Sequence, residues 1–161
     1  MFAMVLLLSV AIGSSAFAEG KEGFKPGSEP TGFRGVKWGT PISELKDFEY
    51  QGTLRDGRKA YARVGDNMRI GDAQLRRVVY FFENDVLSSV TVATKPGYCG
   101  ELKEAVVAWF GEGYENGTGG IEFNGPITWT AWYCKNDTGL LHLTSFKNLE
   151  QQVAKRSGSQ R

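Results

Sequence analysis

The chain is poor in the residues that most often carry chemistry. It has one histidine, His142, and two cysteines, Cys99 and Cys134, in 161 residues. One His and two Cys cannot complete a zinc tetrad, and no C-x-x-C pair is present. The alternation of a calcium loop is broken at Asp66-Asn67-Met68-Arg69. No metal and no other cofactor is expected. There is no G-x-S-x-G elbow for an exported serine hydrolase, and His142 alternates with Leu141 and Leu143 as a half-buried strand residue would. The acidic candidates for a carboxylate pair, Glu83, Asp85, Glu112 and Glu115, all fall in turns, where such residues are expected without a catalytic role. The glycine-rich stretch Gly111–Gly120 follows a helical segment and lacks G-K-[ST], so it reads as a long flexible connection, not a phosphate loop. Charge of one sign is missing too. A net charge of +1 gives no footprint for nucleic acid or an anionic membrane.

Glycine, by contrast, is abundant at 21 residues, and it falls between apolar runs. That distribution points to many turns and short strands. Residues 1–18 form an apolar run ending in Ala16-Phe17-Ala18, the pattern of a secretory leader cleaved after Ala18, although no Lys or Arg precedes its core. No Cys stands at the cleavage site, and no span is expected in the mature chain. The expected location is periplasmic or secreted. In that compartment Cys99 and Cys134 read as a disulfide, contributing roughly 3–4 kcal/mol through the loop that it closes.

Residues 19–31 read as a flexible lead-in with only Phe24 to bury, residues 32–156 as a single domain, and 157–161 as a polar tail. Phe33, Val36 and Trp38 anchor an extended start. Thr40-Pro41 predicts a short helix over Pro41–Asp47, with Thr as N-cap and Pro at its first position. Asp56-Gly57 predicts a charged hairpin. The stretch Arg76–Lys95 organises the rest: two strands flank Glu83-Asn84-Asp85, and the first is apolar on both faces. Leu102, Ala105, Val106, Trp109 and Phe110 make the clearest helical stripe. Residues 127–134 form a strand and turn at Asn136-Asp137, and residues 147–156 predict a terminal helix. The expected fold is α+β: an antiparallel sheet of hairpins with two or three helices on one face, laid out as a repeated helix-plus-hairpin unit.

The segments Phe33-Arg34-Gly35, Trp38-Gly39-Thr40-Pro41, Val79-Tyr80-Phe81-Phe82 and Trp109-Phe110-Gly111 resemble small exported bacterial proteins of unassigned function. The element order is similar to the β-lactamase-inhibitor-protein-like fold and to small outer-membrane-assembly lipoproteins. The lipoproteins carry an acylated Cys that this chain lacks. The resemblance implies a non-enzymatic protein that binds another protein, in the periplasm or outside the cell. The alternative is a small exported hydrolase built around His142. The candidate binding face is Thr128, Thr130 and Trp132, three alternate residues on one strand. Polar neighbours beside a Trp suit an interface rim. A folded-back helix at Lys147–Lys155 would instead bury them.

Overall fold

The computed structural model of the chain describes residues 23–146. The leader, the predicted terminal helix and the polar tail lie outside the described residues. The two Asn-Asp turns organise the architecture. Asn84 and Asp85 have φ of 50° and 63°, and Asn136 and Asp137 have 50° and 60°. Two consecutive positive φ angles define the two-residue turn whose twist matches that of paired strands.

In chain order, β1 (Gly32–Phe33) and β2 (Val36–Lys37) form a small separate hairpin. A three-residue 3₁₀ turn, Ile42–Glu44, leads to β3 (Phe48–Thr53), β4 (Lys59–Arg63), β5 (Arg69–Ile70), β6 (Ala73–Glu83) and β7 (Val86–Thr94). The helix α1 (Cys99–Phe110) comes next, followed by β8 (Tyr114–Glu115), β9 (Ile121–Asn124), β10 (Thr128–Lys135) and β11 (Thr138–Ser145). One antiparallel sheet runs β3-β4-β6-β7-β11-β10-β9-β8, with β5 paired to the start of β6. The Asn-Asp hairpins β6–β7 and β10–β11 occupy its middle, side by side through β7 and β11.

The fold is therefore mainly antiparallel sheet with one α-helix among the described residues, which corrects the expectation of an α+β fold with two or three helices. The reason lies in Thr40–Asp47. Pro41 is extended (φ −65°, ψ 140°) and bridges Val86, while Leu87 N–H donates to the Thr40 carbonyl and Ile42 N–H to that of Asp85. Pairing with the start of β7 satisfies this backbone. A helix of two turns has too little intrinsic stability to compete. The repeat thus reduces to its two hairpin turns.

α1 lays Leu102, Val106 and Phe110 on one face of the sheet, against Val78, Tyr80 and Phe82 of β6, Leu87, Val90 and Val92 of β7, and Leu141 and Leu143 of β11. A disulfide between Cys99 and Cys134 ties the helix N-terminus to the end of β10. Residues 23–31 also dock here, which corrects their reading as a loose lead-in. Phe24 stacks on Phe123 and meets Phe110 edge-on, and Lys25 N–H donates to the Phe110 carbonyl. Phe33, Val36 and Trp38 are buried, as anchors of the extended start should be. A polar clasp holds the β1–β2 turn. Arg34 Nη1 lies 2.6 Å from Asp66 Oδ1, and the Tyr80 hydroxyl donates to Asp66 Oδ2 at 2.8 Å. Burial and the neighbouring carboxylate push the Tyr80 phenol well above its usual range.

The stretch Gly111–Gly120 is a hairpin and not a slack connection. Asn116 Oδ1 accepts from the N–H groups of Thr118 and Gly120. Gly113 is obligatory: its φ is +65°, and a Cβ there would fall 2.6 Å from Ile121 Cγ2.

Candidate functional site

Alternation along β10 divides its residues between two faces of the sheet, and the structure shows which is which. Thr128, Thr130 and Trp132 face inward. Thr128 and Thr130 are fully buried and Trp132 is 6% exposed. They are brought together, but as part of the core, so this face is not open to a partner. The cover is α1, whose Lys103 ammonium lies 5.5 Å from the centre of the Trp132 ring. The Thr128 hydroxyl accepts from Trp38 Nε1 at 2.8 Å and donates to the Pro30 carbonyl. Thr130 Oγ1 and Trp132 Nε1 are buried without a hydrogen-bond partner among the described residues. The polar pattern that suggested a surface is an interior one, in which Thr128 bonds to the N-terminal segment and Thr130 is buried on the same face.

The opposite face carries no described helix. Its residues follow from the strand registers: Ala60 opposite Phe81, Phe81 opposite Ser89, Val79 opposite Thr91, and Arg77 opposite Ala93. Ala60, Val79 and Ala93 are buried yet stand apart from the hydrophobic core cluster under α1. Together with Phe81 they floor a groove of about 480 Å³, walled by Gln51–Leu54 and rimmed by Arg76 and Arg77. That size is in the range of ligand and side-chain binding clefts.

Three bulges shape this groove. Gln51 is inserted between the pairs Tyr50–Tyr61 and Gly52–Ala60. Ser88 is inserted in β7 where Phe81 pairs with Ser89 and Phe82 with Leu87. Arg76 is inserted in β6 between Leu75, opposite Thr94, and Arg77, opposite Ala93. In a regular strand consecutive residues point to opposite faces, so Leu75 and Val78 could not both be internal. The bulge lets both enter the core and turns Arg76 and Arg77 to the groove side together. The sequence carries the signal, two apolar residues three apart around a pair of arginines, which strict alternation along the strand passes over.

A polar and aromatic row continues across the same face. The Arg58 guanidinium lies 5.3 Å from the Phe81 ring centre and donates to Ser89 Oγ at 3.3 Å. Asp56 holds Arg58 at 2.8 Å, and those hydrogen bonds keep its carboxyl below the usual range. His142 sits between two hydroxyls, Thr91 Oγ1 at 2.7 Å from Nδ1 and Thr144 Oγ1 at 2.8 Å from Nε2. Burial, then the charge of Arg58, lowers its pKa. Trp129 meets the His142 ring edge-on and donates to Glu122, which Asn116 also holds. Thr91 lines the groove while His142 does not. No group of three or more potential metal ligands occurs among the described residues. No described helix is long and apolar enough to cross a membrane. No protein-family model, curated protein or solved structure matches this chain.

Proposed function

We propose that this is an exported, non-enzymatic module that binds another protein through the face of its sheet that carries no described helix. The observation that carries the reading is the groove over Ala60, Val79, Phe81 and Ala93, an apolar floor outside the main core. A leader-like N-terminus and an intramolecular disulfide support export to an oxidising compartment. A hydrolase centred on His142 finds less support. Its Nδ1 meets a threonine hydroxyl, but the other ring nitrogen meets a second threonine in place of an orienting carboxylate.

The test is capture of partners from an extract of exported proteins, using the wild-type protein and an Ala93→Phe variant. This substitution fills the floor of the groove without adding charge. Loss of a captured protein at unchanged melting temperature supports the reading. Equal capture by both proteins overturns the groove as the binding site.

A further inference from the structure

Resting on that reading, we infer that the groove takes an extended acidic segment of the partner, with a carboxylate on Arg76 and Arg77 and a neighbouring apolar side chain on the floor. The bulge in β6 is the starting point. It places two consecutive guanidinium groups on one face, where a regular strand would separate them. Like charges held side by side repel, and here no described hydrogen bond or ion pair compensates either arginine. The nearest described cation on this face, Arg58, is already held by Asp56 at 2.8 Å. No described lining residue of the groove is acidic. An anionic ligand supplies the missing charge. A carboxylate fits best, because its two oxygens match the fork of a guanidinium.

The floor sets the second requirement. Ala60, Val79, Phe81 and Ala93 offer only apolar contact, so the anion must belong to something with an apolar side chain close by. The chain's own C-terminal residues 147–161 are the wrong occupant: they contain Lys147, Lys155, Arg156 and Arg161 against the single acid Glu150. Like charge would repel them from the arginine rim. A partner segment with an acid beside an aliphatic or aromatic residue meets both requirements.

Random decapeptides displayed on phage and selected on the immobilised protein test this. The expected winners carry Asp or Glu within two positions of an aliphatic or aromatic residue. A labelled winner, measured by fluorescence anisotropy, should bind the Arg76→Gln/Arg77→Gln variant about tenfold more weakly or worse, with unchanged melting temperature. The charge-matched Lys37→Gln/Lys135→Gln variant should bind as wild type. Winners without acids that are lost on Ala93→Phe would overturn this inference and leave the binding-module reading standing. Failure of any peptide to enrich, equal loss in both charge variants, or displacement by inorganic phosphate or decanoate as effective as by peptide would also overturn it.

Discussion

The Glu29 carboxylate accepts a hydrogen bond from the backbone N–H of Thr128 at 2.8 Å, across 99 residues of sequence. The same oxygen takes the Ile127 N–H at 2.6 Å. Glu29 thereby serves the start of β10 as a side-chain substitute for a neighbouring strand. Thr128 Oγ1 and Trp38 Nε1 both donate to the Pro30 carbonyl close by.

This arrangement makes residues 23–31 part of the folded unit. Glu29→Ala should lower stability by about 2 kcal/mol, the scale of hydrogen bonds to a charged group. Deleting residues 19–31 should cost more than about 3 kcal/mol, because it also removes Phe24 from Phe110 and Phe123. Urea unfolding measures both. A deletion that leaves the midpoint in place would show that the contacts carry no net stability.

Two threonines on one strand face should respond to valine with opposite signs. Thr130 Oγ1 is buried without a described partner, so Thr130→Val should raise stability by about 1 kcal/mol. Thr128→Val deprives Trp38 of an acceptor and the Pro30 carbonyl of a donor, and should lower stability by about 1–2 kcal/mol. Trp132→Ala should cost about 3–5 kcal/mol, as expected for a buried aromatic. Destabilisation by Thr130→Val would mean that this hydroxyl is satisfied in solution.

What the sequence made legible was local. Asn84-Asp85, Asn136-Asp137 and Asp56-Gly57 announce their turns because few residue types tolerate positive φ, and α1 announces itself through its stripe. The cysteine pair needed only an oxidising compartment as a premise. What was hidden depends on partners distant in the chain. Thr40–Asp47 has helix-start chemistry, yet β7 claims its backbone. The face of β10 with two threonines became the inner one because α1 and Pro30 lie over it, and alternation alone cannot choose a side. The groove was invisible for a related reason: a single inserted residue, Arg76, reverses the facing of everything before it in β6.

Reduction of the disulfide should lower stability by about 3–4 kcal/mol, since the bridge closes a loop with a sequence separation of 35. The Cys99→Ala/Cys134→Ala variant should match the reduced protein. The checking measurement is the urea midpoint with and without reductant. An unchanged midpoint would mean that α1 is held to β10 by packing alone.

The lone histidine provides a stability titration that reports on one site. In the folded protein His142 is pressed between Thr91 and Thr144, under the influence of Arg58, and its pKa is lowered by burial first and by that charge second. Glu122 on β9 could oppose this, but it is held by Asn116 and Trp129. The unfolded chain takes up the proton near the ordinary value of about 6.5, while the folded chain refuses it until lower pH. Between those two values the unfolded state binds more protons, so stability rises with pH and is lost progressively as pH falls below about 6.5. His142→Gln should flatten that slope, while the loss of its two hydrogen bonds and of the Trp129 contact shifts stability by a constant amount at every pH. Because no other histidine is present, its ring resonances can be followed by NMR without assignment ambiguity. The expected midpoint lies below that of a free histidine. A midpoint above it would mean that the imidazolium, not the neutral ring, is the form that the two threonines and the surrounding charges favour.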